Sequence, residues 1–206
     1  TSLKGFRQAM PYRLFSTFLY LTLFVEFLAI SWKWHWHRTN YWNFPQSNLF
    51  IYCGFISVRL IFFILFYYHA IRLPTIRRVI LYSSVPLLLF TLIDYFYIEG
   101  LNQVNTYSII LSNLAITLLT LAFFFQVLQD DEIIKLSTHP MIWISLGSFI
   151  YYAATLPFFI FLNYLSINHP KVAVSFLYIN HALNIIMYST YLIAYLCNPP
   201  SPKSVH

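Results

Sequence analysis

The sequence predicts an all-α, polytopic transmembrane helical bundle, and three observations carry that prediction. The 206-residue chain is 59% hydrophobic and 9% charged, with a mean hydropathy of +0.65. A water-soluble domain carries about 25% charged residues, so this surface is not built for water. The apolar residues also fall into six runs of spanning length: Leu14 to Ile30, Asn48 to Ala70, Arg78 to Ile98, Tyr107 to Leu128, Pro140 to Leu162 and Val172 to Cys197. Finally, the charges gather between the runs, with few placed deep inside one. A single transmembrane domain over residues 1–206 follows, with six spanning helices.

The runs are justified in order by their flanks. The first follows a basic stretch (Lys4, Arg7, Arg13) and ends before a tryptophan-rich loop. The second, Asn48 to Ala70, is 23 residues long and almost wholly apolar. The third and fifth contain Pro86 and Pro157, which are expected to kink them. Short connections make neighbouring helices antiparallel. The proline-rich tail, from Asn198 onward, reads as irregular. No internal repeat is visible, which weighs against an inverted-repeat transporter. Cys53 and Cys197 sit in or at the ends of different runs, so a disulfide is not expected. The chain begins at Thr1 without a secretory signal pattern, which points to a processed, trimmed or internally numbered chain.

Orientation follows from the basic residues. With the N-terminus inside, Lys4, Arg7, Arg13, Arg72, Arg77, Arg78, Lys135 and Lys203 are cytoplasmic, against Lys33, Arg38 and Lys171 outside. That is the positive-inside bias, and it predicts a multi-pass protein of the bacterial inner membrane with a cytoplasmic C-terminus. The net charge of +6 reflects those loops. No basic stripe interleaved with exposed aromatics marks a nucleic-acid surface, so membrane lipid is the expected neighbour.

Arg59 is the organising residue of the second run. Counting at 1.5 Å per residue, it lies roughly 16 Å from the outer boundary, near the membrane midplane. A guanidinium there costs about 2.5 to 17 kcal/mol depending on the reference, so the fold must supply a partner. By the same count Glu26 lies roughly 6 Å in, Asp94 about 7 Å, Asn113 about 9 Å and His181 about 13 Å. Thr91, Asp94 and Tyr95 share a helix face, as do Asn113, Thr117 and Thr120, and Ser145, Ser148, Tyr152 and Thr155; Asn180, His181, Asn184, Tyr188 and Tyr191 form a stripe in the last run. Polar faces of membrane helices turn inward. The residues converge on a polar, ligand-binding pocket in the outer half: Glu26, Arg59, Asp94, Asn113, His181 and Asn184, with Arg59 held by Glu26 or Asp94. The plainer alternatives stand beside it. Serines and threonines in such helices bond their own backbone, Arg59 with an acid can be a structural pair, and a lone histidine can be a satisfied interior residue.

Of the cofactor chemistries, retinal is excluded and haem disfavoured. A retinal Schiff base needs a lysine within a helix, and Lys4, Lys33, Lys135, Lys171 and Lys203 all fall in loops or termini. A haem held by two deep histidines is disfavoured, because only His181 is deep; His69 and His139 share the inner boundary. No GxSxG, HExxH, CxxC or phosphate-loop pattern is present, so no enzyme is indicated. The outer loop around Trp32 to Trp42 reads as an aromatic belt. Its alternative makes His35 and His37, two apart as on a strand, metal ligands with His169, but no cysteine or close carboxylate completes the set.

Several segments together carry a family resemblance. They are Glu26, the aromatic-flanked second run, the turn from Glu99 to Tyr107 with Asn105-Thr106-Tyr107, the stretch His139 to Gly147, and His181 to Tyr188. The chain resembles an uncharacterised family of small inner-membrane proteins of Bacteroidota-type bacteria, some encoded near sensor histidine kinases. The resemblance implies a seven-helix, receptor-like bundle with one more helix ahead of Ser2. The expected function is therefore that of a receptor or sensor binding a small ligand, ion or lipid headgroup, and signalling to a cytoplasmic or membrane protein partner. A transporter or proton-coupled carrier, and a structural subunit of a larger membrane complex, are the alternatives.

Overall fold

The computed structural model describes residues 2–36, 48–100, 104–129 and 139–197, and every element among them is helical. The helices are α1 (Ser2–Ser31), α2 (Leu49–Ala70), α3 (Pro74–Ile93), α4 (Thr106–Gln129), α5 (Pro140–Asn168) and α6 (Pro170–Leu196). Short π-helical turns, Trp32–Trp36 and Asp94–Ile98, extend α1 and α3. All six helices carry a window long and apolar enough to cross a bilayer, so the chain is a multi-pass integral membrane protein.

Among the boundaries that differ from the hydropathy reading, three have a clear physical reason. Helix α1 begins at Ser2 rather than Leu14 and runs through Pro11. Its first three turns are too polar to score as a span, and the helix passes through them despite Pro11, which removes one backbone N–H donor. Helix α5 continues through Pro157 and past Leu162 to Asn168. It stops where Pro170 pushes His169 out of the helical region, to φ −139° and ψ 62°. The third span changes character at Asp94, where α-helix gives way to a π turn that ends at Gly100. Gly100 sits at φ +76°, a conformation that favours glycine, and with Glu99 it donates its N–H to the Asp94 carbonyl, closing the helix end.

The chain divides into two compact units, Thr1–His69 with Arg77–Ser112, and Ala70–Ile76 with Asn113–His206. The first unit has an aromatic core. Phe18 meets Phe63 edge-on at 5.5 Å and stacks on Phe55 at 6.1 Å, and Phe15 meets Phe66 at 6.1 Å. Beside this core, Leu14, Phe15, Phe18, Phe62, Phe63 and Phe66 line an apolar gap of about 10 Å³, room for one water at most.

The second unit is built on close approach of α5 and α6. A Cβ on Gly147 would fall 1.8 Å from Thr190 Oγ1 and 3.2 Å from the Met187 carbonyl oxygen, so only glycine lets the helices meet here. Ser148 and the Tyr191 hydroxyl bond across the same seam at 2.8 Å. Large apolar side chains lie exposed along the helices, Tyr97 at 84% and Leu128 at 85% among them. Lipid, not water, is the solvent that such a surface suits.

Candidate functional site

Two charged side chains of the first unit meet one face of α4. Ser108 and Ser112 are four residues apart and so stack on that face. Ser112 Oγ accepts from Arg59 Nη2 at 3.0 Å and donates to the Ile109 carbonyl. Ser108 gives both its N–H (3.0 Å) and its hydroxyl to Asp94 Oδ2. Arg59 is the eleventh residue of α2 and Ser112 the seventh of α4. Because both helices start from the same face, Ser112 lies roughly 6 Å nearer to it. The long arginine stem covers that rise by snorkelling toward the boundary.

The first turn of α4 binds a second carboxylate. The Glu99 carboxylate accepts from the Tyr107 N–H at 3.1 Å, next to the Ser108 N–H that Asp94 takes. Two acids thus satisfy successive orphan donors where the helix dipole is positive. Asp94 is fully buried, yet its Oδ1 has no hydrogen-bond partner, and neither amide atom of the buried Asn105 has one. Burial pushes the Glu99 carboxyl above its ordinary range. The Tyr107 N–H opposes that shift, and the adjacent Asp94 charge and side chain add to it. Glu99 is the site residue that sequence reasoning missed. Its signal was a carboxylate a few residues ahead of a helix start, which hydropathy counting treats as loop.

The predicted face of Thr91, Asp94 and Tyr95 is an internal one. Thr91 accepts from Ser57 Oγ at 3.0 Å, and the Tyr95 hydroxyl donates to the Phe50 carbonyl at 3.1 Å, so all three point at neighbouring helices. Glu26 stands apart from this group. It is exposed on α1, and its Oε2 accepts from the Tyr52 hydroxyl at 2.9 Å.

In the second unit Asn113 is buried and donates to Thr155 Oγ1 at 3.1 Å. Thr117, Thr120, Ser148 and Thr155 each bond a carbonyl three or four residues back, the backbone pairing that makes such stripes packing surfaces. The last stripe is rotated relative to the sequence expectation. The buried face of α6 is Met187, Thr190, Tyr191 and Ala194. At 100° per residue His181 sits about 120° round the helix from Met187, and about 100° separates Tyr188 from it. Both are exposed, and Asn180 and Asn184 are half-buried. Asn113 and His181 therefore do not share one buried cluster.

The histidine-loop alternative lies partly outside the described residues. His35 lies in the π-helical turn rather than on a strand, His37 falls outside the described residues, and His169 is the exposed link between α5 and α6. Among the described residues no group of three or more His, Cys, Asp or Glu side chains could hold a metal ion.

At the other end of the spans, Gln126 of α4 accepts from the N–H groups of Arg72 and Leu73 and so satisfies the α2–α3 turn. His139, ahead of α5, is held below its usual pKa by burial and by the Arg72 charge. His69 of α2 pairs Nδ1 with its own helix at the Leu65 carbonyl. Set against protein-family models, curated proteins and solved structures, the chain matches none of them.

Proposed function

We propose that this multi-pass membrane protein is a receptor- or sensor-like bundle that binds a small anionic ligand or lipid headgroup in the first unit, beside Arg59 and Asp94. The observation that carries the reading is the single face of α4 on which Ser112 holds a membrane-embedded guanidinium and Ser108 a fully buried carboxylate. Intramembrane charges are costly and mark function more often than architecture. A serine hydroxyl is a weak acceptor for a guanidinium compared with a carboxylate or phosphate. An anion reaching Arg59 from the outer boundary would therefore displace Ser112 and free α4 to shift, which gives the two-state element a sensor needs. The bacterial inner membrane, a cytoplasmic C-terminus and a partner that reads the Arg72 to Arg78 segment belong to the same proposal, on the strength of the basic-residue bias.

The test uses the purified chain in lipid nanodiscs, with inorganic phosphate, glycerol phosphate and glutamate as probes. One probe at 100 times its Kd should stabilise the wild type by about 2.7 kcal/mol, and Arg59→Met should lose that gain. If no probe moves the unfolding midpoint, or Arg59→Met responds like wild type, the reading is wrong. Solute flux into liposomes that depends on Asp94 would favour a carrier in its place.

A further inference from the structure

We propose that the Asp94 and Glu99 carboxyl groups share one proton, which makes the turn between α3 and α4 a proton-binding site. Three observations of geometry lead there. The acids accept from adjacent backbone N–H groups, Tyr107 and Ser108, so their carboxyl groups are held side by side. Asp94 is fully buried and its Oδ1 meets no donor, the condition that a hydrogen from Glu99 would relieve. Glu99 is half-exposed at the end of the span, so a proton can pass between water and the buried acid through it. Like charges in contact disfavour double ionisation.

The titratable and charged groups around the pair come from each element that packs on it. Helix α2 supplies Cys53, whose thiol lies against the Asn105 backbone, and Arg59 one turn away through Ser112. Of the nearby tyrosines, Tyr95 of the π turn gives its hydroxyl to the Phe50 carbonyl and Tyr107 of α4 is exposed. With one proton on the pair, its single negative charge matches the single Arg59. The proton comes from water and returns to it, and no other bond is made or broken. Its loss leaves two anions on the first turn of α4, and their repulsion is transmitted to the helix that carries Ser112. The Glu99 carboxyl is raised, so the sign is fixed: the protonated form predominates below the raised value and is lost as pH rises through it.

This inference rests on the proposed function only for its location, and its test uses ligand-free protein, so either can fail without the other. The readout is the infrared carbonyl band of a protonated carboxylic acid, followed through a pH titration in nanodiscs with H₂O and D₂O. Wild type should show a band that persists above the ordinary carboxylic-acid range and disappears on further alkalinisation. Glu99→Gln, which keeps an acceptor for the Tyr107 N–H and offers Asp94 Oδ1 an amide donor, should abolish it. Glu26→Gln should leave it unchanged. Absence of the band above the ordinary carboxylic-acid range, its persistence in Glu99→Gln, or its loss in Glu26→Gln overturns the proposal. A band that appears only after sodium and potassium are removed places a cation between the acids and overturns it equally.

Discussion

Replacing Gly147 with alanine probes the contact on which the rotation of α6 depends. In a helix with open surroundings this change stabilises by about 1 kcal/mol, because alanine loses less backbone entropy. Here the new Cβ would stand 1.8 Å from Thr190 Oγ1, 3.0 Å from Thr190 Cβ and 3.2 Å from the Met187 carbonyl oxygen. Turning the hydroxyl away clears only the first contact and breaks its 2.7 Å bond to the Met187 carbonyl, worth about 1 kcal/mol. The other two contacts require α6 to back away, and overpacking of this size costs about 1–3 kcal/mol. The balance is a net loss of about 1–3 kcal/mol. Thr190→Ala removes the nearest atom, so the double variant should recover about 1 kcal/mol or more relative to additivity. The assay is reversible unfolding in mixed micelles, followed by circular dichroism for the four members of the cycle. If Gly147→Ala is stabilised by the full propensity gain, the close approach is wrong. The rotation that turns His181 outward would then be wrong with it.

Two further outcomes bear on the opposite end of the spans. Gln126→Leu strands the N–H groups of Arg72 and Leu73 in a turn where Ile71 is buried, and should lower stability by about 1–3 kcal/mol, while Gln126→Glu, which keeps an acceptor, should cost less; the unfolding midpoints of the two variants decide it. His139 has a lowered pKa, so its contribution to stability is complete above the ordinary histidine value and is lost as pH falls from there through the lowered value. Unfolding midpoints should therefore drop on mild acidification in wild type, less steeply in Arg72→Gln, and without the histidine component in His139→Gln.

Hydropathy located all six spans because the cost of burying polar backbone and charge in lipid acts on whole segments. Helical periodicity also picked out the internal face of Thr91, Asp94 and Tyr95, since a polar side chain in lipid must turn to another helix. The same rule misplaced the stripe on α6. What orients α6 is the absence of a side chain at Gly147, a feature of its neighbour, and a periodicity argument confined to one helix cannot register it. Glu99 escaped for the opposite reason. Its carboxylate belongs to the end of one helix and acts on the start of the next, so neither segment alone advertises the contact.

The position of Arg59 sharpens what a membrane-embedded charge can mean. Counting residues puts its Cα near the midplane, where the penalty is greatest, but its Nη2 reaches Ser112, nearly two turns into α4 from the boundary. The cost that matters is set where the guanidinium rests, and there a hydroxyl shares the charge with the acidic turn one helical step beyond. Ser108 and Ser112 thus relate the buried acid to the cation without displacing either from its own helix. An arrangement built only for strength would do better with apolar side chains of similar volume, because buried ion pairs seldom recover their desolvation. Arg59 and Asp94 each meet a small hydroxyl on one face of α4, and the proposed sensor reading rests on that arrangement.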